Sequence, residues 1–213
     1  VTEAIVPVPN RPPLGSDATC IIESWLPAVL AVTAKAWEVD SPCLRLSLSG
    51  AGGGEWELQI VDASFRVERL VPTIGVRRDD PDIWIRMPAA DFLAVLFPSE
   101  DLFAFVTDDA SVADLIFTDE QEMELLAKLD GRIKFELEGR RRRRWVVDAA
   151  FGTSGMRAGR PRTTVSIDAG TCEKLAARVL TPLQALLAGR LRVEGDRTLA
   201  VQVLMLAASR MGG

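Results

Sequence analysis

The chain alternates apolar and polar residues with the period of a half-buried strand in two places, LRLSLS (Leu44 to Ser49) and IKFELE (Ile133 to Glu138). A turn and a second alternating run follow each, so both read as β-hairpins. Elsewhere the period is helical. CIIESWLPAVLAVTAKA precedes the first hairpin, with Pro27 marking a kink or an early turn. TDEQEMELLAKLDG precedes the second, with Thr118 as N-cap, Gln121 three residues on, and Gly131 as a stop. Farther along, Cys172, Leu175, Ala176, Val179, Leu183, Leu186 and Leu187 form one apolar stripe, with Glu173, Lys174 and Arg178 turned outward. In the last helix Leu199, Val203 and Leu206 share a face, while Val201, Leu204, Met205 and Ala208 cover most of the rest. A helix that is apolar all round must be buried on more than one side. A lipid, the other half of the chain, or a second copy in a homodimer would each bury it.

The two hairpins follow one pattern. Leu44 lies over Ile133, Gly50 over Gly139 and Trp56 over Trp145, all 89 positions apart. Ile83, Ile85 and Leu93 lie over Val165, Ile167 and Leu175 at an offset of 82, so the first copy carries 89 − 82 = 7 more residues in its middle. Leu102 to Ile116 lies more loosely over Arg190 to Leu204. The chain therefore divides into a flexible Pro-rich tail over 1–17 and two tandem units, 18–117 and 118–213. The expected fold is α/β of the α+β type, each unit a mostly antiparallel sheet covered by helices.

In the second unit KLDGRIKFELEG, RWVVDAAFG and TTVSIDAGTCEKLAARVLTPLQALLAGRLRVEGDRTLAVQVLMLAA follow one another. This run, from Glu120 to about Ala208, resembles the sterol carrier protein type 2 lipid-binding domain. Its most specific part is a helix with Pro182 near its start, the pair Gly189-Arg190, the strand Leu191 to Val193, Gly195-Asp196, and the apolar last helix. The first unit lacks the Gly-Arg turn and so resembles a shortened, degenerate copy. The resemblance implies a mostly antiparallel five-stranded sheet covered by helices, with an apolar tunnel for fatty acyl chains, sterols or similar molecules. It places the ligand in the second unit, against Trp145, Val147, Phe151, Val179, Leu183, Leu186, Leu187, Leu191, Val201, Leu204 and Met205. Trp56 and Trp145 would anchor the hairpins, and Trp84 would plug the pocket of the first unit.

Composition narrows the chemistry. The 213 residues include no histidine and no tyrosine, which excludes Ser-His-Asp and Cys-His catalysis and every histidine-containing metal site. No cofactor or metal is expected. Three cysteines, Cys20, Cys43 and Cys172, lack metal-like spacing and read as free thiols. A net charge of −5 argues against nucleic acid as a partner. The run Arg140, Arg141, Arg142, Arg143 and Arg144 replaces a glycine-rich hairpin tip and reads as a solvated turn, with an anionic membrane surface as its alternative partner. No stretch is long and apolar enough to cross a bilayer and no secretory leader is evident, so the expected location is cytoplasmic.

The leading expectation is a non-catalytic protein that carries or shelters a hydrophobic small molecule. A second reading gives the same pocket to an enzyme or enzyme accessory acting on a hydrophobic intermediate, with Asp148, Asp168 or Cys172 supplying the chemistry. A third is an interaction scaffold that docks through the last helix.

Overall fold

The computed structural model describes residues 9–13, 15–33, 41–62, 64–71, 80–96, 120–139 and 143–211. Helix α1 (Ala18–Cys20) is capped by Asp17, whose carboxylate accepts from the Cys20 N–H at 2.7 Å. It runs through a π-helical stretch, Ile21–Trp25, into α2 (Leu26–Thr33). Pro27 has no N–H to donate one turn back, and the helix widens just before it, Leu26 donating to the Ile21 carbonyl five residues earlier. The expected kink is thus a π-bulge inside a continuous helix.

Strands β1 (Leu44–Ser49), β2 (Gly54–Val61), β3 (Ser64–Arg69) and β4 (Ile83–Pro88) follow, then helices α3 (Ala89–Leu96) and α4 (Glu120–Ala127). The rest comprises β5 (Gly131–Glu138), β6 (Arg144–Phe151), α5 (Gly152–Arg157), β7 (Thr163–Ile167), α6 (Ala169–Ala176), α7 (Pro182–Leu187), β8 (Leu191–Glu194) and α8 (Arg197–Met211). A hairpin with a third strand parallel to its first strand occurs in each half: β2-β1-β4 and β6-β5-β7. The pairings correct one offset. Trp56 lies opposite Leu46, and Trp145 opposite Leu137; Leu44 lies beside Ile83, and Phe135 beside Val165. The first strands are therefore equivalent at 135 − 44 = 91, two residues from the sequence match, an even slip that leaves every side chain on its face.

Where the sequence suggests one sheet per unit, all eight strands form a single, mostly antiparallel sheet in the order β3-β2-β1-β4-β6-β5-β7-β8. The join is β4 with β6, Ile83 opposite Phe151 and Arg86 opposite Asp148. Each strand has an edge to satisfy there. In the second half the chain turns into α5 after β6 instead of adding a strand like β3, and Gly155 permits that close turn: any Cβ there would collide with the Gly131 carbonyl. On β4, β6 occupies the antiparallel position that β8 takes on β7.

One face of the sheet carries both apolar cores. Leu46, Leu48, Trp56 and Leu58 pack with Ile21, Ile22, Val29 and Leu30. Ile133, Ala149, Phe151, Val165 and Ile167 pack with Leu126, Cys172, Leu175, Ala185, Leu199, Val203 and Leu204. The opposite face is a ladder of charge. Arg45 pairs with Glu57, Lys134 with Glu136, and Arg132 and Arg86 with Asp148. Trp84 lies on this face, outside the helix-covered core, so it does not plug a pocket. The Arg86 guanidinium stacks on its ring at 4.3 Å and its indole N–H donates to Ser47 Oγ at 2.7 Å.

Candidate functional site

The apolar stripe from Cys172 to Leu187 breaks into α6 and α7. Pro182 cannot donate to a preceding turn and forces Thr181 into extended backbone (ψ 156°). Thr181 then caps α7 through a capping box with Gln184: the Gln184 N–H donates to Thr181 Oγ1 at 3.2 Å and the Thr181 N–H to Gln184 Oε1 at 3.0 Å. The break changes what the stripe covers. Ala185 stays in the core, but Val179, Leu183 and Leu187 are exposed, Leu187 by 80%.

Behind α7 the chain enters β8 and leaves through Gly195 at φ +93°, where a Cβ would strike the Arg162 carbonyl. The next residue anchors α8: Asp196 Oδ1 accepts from the N–H groups of Thr198 at 2.9 Å and Leu199 at 3.2 Å. Thr163 holds the same turn, its Oγ1 accepting from the Asp196 N–H at 3.2 Å. Between α7, β8 and α8 these constraints leave a cleft of ≈ 340 Å³ lined by Leu186, Leu191, Val193, Val201 and Arg197. Four walls are aliphatic and the fifth is an exposed guanidinium.

Leu186, Leu191 and Val201 are thus the expected ligand residues that the structure brings together. Phe151 and Leu204 lie in the adjoining core, and Trp145 is buried on β6, separated from β8 by β5 and β7. Val147 is half-buried on that same strand, and Met205 is exposed on α8. Val193 and Arg197 complete the cleft although the sequence pattern singled out neither. Val193 alternates with Leu191, but Gly189 occupies the next alternate position, so the short strand offered only a two-residue apolar signal.

Two of the larger depressions have another character. One of ≈ 610 Å³ lies on the charged face between β5, β7 and β8, bordered by Lys134, Glu136, Arg144, Arg190, Arg192 and Glu194. Another of ≈ 510 Å³ lies where the segments before β1 and β4 meet α4 and α5, with Asp80 and Asp82 facing Met123, Leu126, Leu129 and Met156. Neither combines an apolar wall with a lone cation.

The three candidate catalytic groups are engaged elsewhere. Asp148 accepts from Arg132 Nε at 2.8 Å to Oδ1 and 3.1 Å to Oδ2, with Arg86 at 3.5 Å, on the charged face. Asp168 caps α6, accepting from the Thr171 N–H at 2.9 Å and Thr171 Oγ1 at 2.7 Å. Burial alone would raise its carboxyl, but the Thr171 side-chain and backbone hydrogen bonds, with Gly170 behind them, outweigh it and hold the group below the usual range. Cys172 is buried in the core, and burial together with the Asp168 charge pushes its thiol up to about 12. None of the three lines the apolar cleft. Arg143 stacks on Trp145 at 5.1 Å and pairs with Asp91 at 3.6 Å, while Arg144 reaches Glu136 at 3.8 Å. Arg140, Arg141 and Arg142 lie outside the described residues, as does the stretch matched to β8 and α8 in the first unit.

Residues 112–208, which contain the whole cleft, match the family model of the SCP-2 sterol transfer family. The match spans 97 of the 213 residues. Solved structures similar to the chain include palmitated SCP2L2 from Aedes aegypti, at 21% identity over 38% of this chain and 74% of that one, TM-score 0.30. The sterol carrier protein domain 2 of Helicoverpa armigera is 18% identical over 43% of this chain and 76% of that one, TM-score 0.32. Sterol Carrier Protein 2 from Yarrowia lipolytica, in its apo form, is 18% identical over 42% and 77%, TM-score 0.29. Comparison with curated proteins returns no match. Among the described residues, no helix is long and apolar enough to cross a membrane, and no acidic or thiol cluster is placed to hold a metal ion.

Proposed function

We propose that the SCP-2 segment binds a hydrophobic molecule in the cleft between α7, β8 and α8, and that the preferred ligand is an acyl chain with an anionic head. The observation that carries this reading is the lining: Leu186, Leu191, Val193 and Val201 offer aliphatic surface, and Arg197 stands beside them as the cation. Burial of the chain drives binding, at about 0.8 kcal/mol per methylene, while the guanidinium selects the head group. The volume of ≈ 340 Å³ is at the lower end of the range of about 300–1,000 Å³ for small-molecule sites, enough for part of a long chain. The exposed Leu183, Leu187 and Met205 on the flanking helices provide apolar surface for the remainder.

The test is titration of the full chain with a fluorescent fatty acid and with the matching neutral fatty alcohol. V201R, which puts a charge into the lining, should abolish binding of both, with the far-UV circular dichroism unchanged. R197M should weaken the acid while sparing the alcohol. Absence of binding by the wild type, or binding that ignores V201R, would sink the proposal; equal loss of both ligands in R197M would remove the role of the cation.

A further inference from the structure

Strand β8 is the last of the sheet, paired with β7 and with no other described strand. Its sequence with flanks is Arg190-Leu191-Arg192-Val193-Glu194-Gly195-Asp196. The charges are mirrored in sign about Val193: Arg192 on one side answers Glu194 on the other, and farther out Arg190 answers Asp196. Arg190, Arg192, Glu194 and Asp196 are all exposed. None of them takes part in an ion pair among the described residues.

We infer that this edge is a self-recognition surface: two copies of the chain pair antiparallel through β8, with Val193 on the two-fold axis and the sheet continuing across the dimer. In that register Arg192 faces Glu194 of the second copy, and Glu194 faces its Arg192. Arg190 and Asp196 meet in the same way just beyond the strand. The interface is isologous, each ion pair occurring twice. Cross-strand pairs of opposite charge favour a register and like charges directly opposite disfavour it. A slide of two residues in one direction would set Arg192 against Arg192, and in the other Glu194 against Glu194. Of these three registers, the one about Val193 alone sets no charge against its like.

Exposed strand edges are commonly guarded by charges that repel an incoming strand. Here the mirrored signs turn the guard into a code, because the strand it admits is its own copy read backwards. The apolar side agrees. Leu191 and Val193 point to the helix-covered face and line the cleft at this edge, so the pairing sets Val193 against Val193 and brings the two clefts together across the axis. Leu187, exposed at the end of α7, lies three residues before the interface begins. The pairing stands independently of what the cleft binds.

Sedimentation velocity of the full chain at low ionic strength tests it. The wild type should be a dimer that loosens as salt screens the exposed pairs. R192E and E194R each create like charges at two symmetric positions, and each should raise the dimer dissociation constant by at least roughly tenfold. An equimolar mixture of the two variants should form a heterodimer, since opposite charges then meet at both positions, and the double variant R192E/E194R should recover the homodimer. A wild type that is monomeric at about 100 μM, in the range of weak complexes, overturns the inference. So does a dimer indifferent to either reversal, or growth beyond the dimer, which would mean β8 joining a different edge. Because all four side chains are exposed, circular dichroism should show each variant folded.

Discussion

Removing the Asp148 carboxylate tests whether this residue is structural or catalytic. Its side chain is 18% exposed and that of Arg132 10%, with Arg86 at 26% completing the cluster. Breaking a buried pair by deleting one partner costs about 3–5 kcal/mol, because the remaining charge is stranded, whereas a fully exposed pair contributes about 0–1 kcal/mol. The residual exposure lies nearer the buried limit, and Arg132 retains one bond, from Nη1 to the Ala158 carbonyl at 2.7 Å. D148A should therefore destabilise the chain by about 2–3 kcal/mol, lowering the melting temperature by about 5–10 °C for a chain of this size. Urea unfolding followed by tryptophan fluorescence measures it, since Trp56 and Trp145 are both deep in the fold. The variant R132M/D148L, which removes both charges, should recover most of the loss, as apolar replacements of buried pairs commonly do. A loss below about 0.5 kcal/mol for D148A, the range of ordinary surface substitutions, would refute the reasoning. So would a double variant less stable than the single one.

The cysteines should react in an order set by burial. Cys20 is exposed and should label fast in mildly alkaline buffer. Cys43, raised to about 11 by burial and then by Glu57 and Asp82, and Cys172, raised to about 12, should label slowly. Mass-spectrometric mapping in which Cys172 modifies as fast as Cys20 in folded protein would contradict its place in the core. Replacing the α6 cap, D168A, should cost about 1 kcal/mol at neutral pH. Because the Asp168 carboxyl is held below its ordinary value, its contribution is complete above the unfolded value of about 4 and lost as pH falls through the lower folded one. The stability gap between wild type and D168A should accordingly close in acid; a gap that stays constant from neutral pH to well below the unfolded value would exclude the mechanism.

The local elements were legible in the chain because their signals are local. The hairpins at Leu44 and Ile133 follow from period-2 alternation, and the family match of residues 112–208 from the run ending in α8; Asp168, which the sequence offered as a catalytic candidate, proved to be the α6 cap. Histidine's absence excludes whole classes of chemistry whatever the fold. The mirrored charges about Val193 were also present in the letters, but they acquire meaning only on a strand whose outer side is open.

Tertiary structure decided what depends on neighbours distant in sequence. Periodicity could not show that β4 and β6 would satisfy each other's edges and merge two hairpins into one sheet. Nor could it show which side of that sheet Trp84 would take, because a strand's two faces are assigned by what packs against them. The stripe from Cys172 to Leu187 looked continuous because side-chain spacing ignores the missing N–H of Pro182; the break there exposed Leu183 and Leu187 and brought Leu186 to the same cleft as Val201. Sequence by itself thus determined the elements and their chemistry. Packing chose the partners, and with them the cleft, because burial is a property of the surroundings a side chain meets and not of its place in the chain.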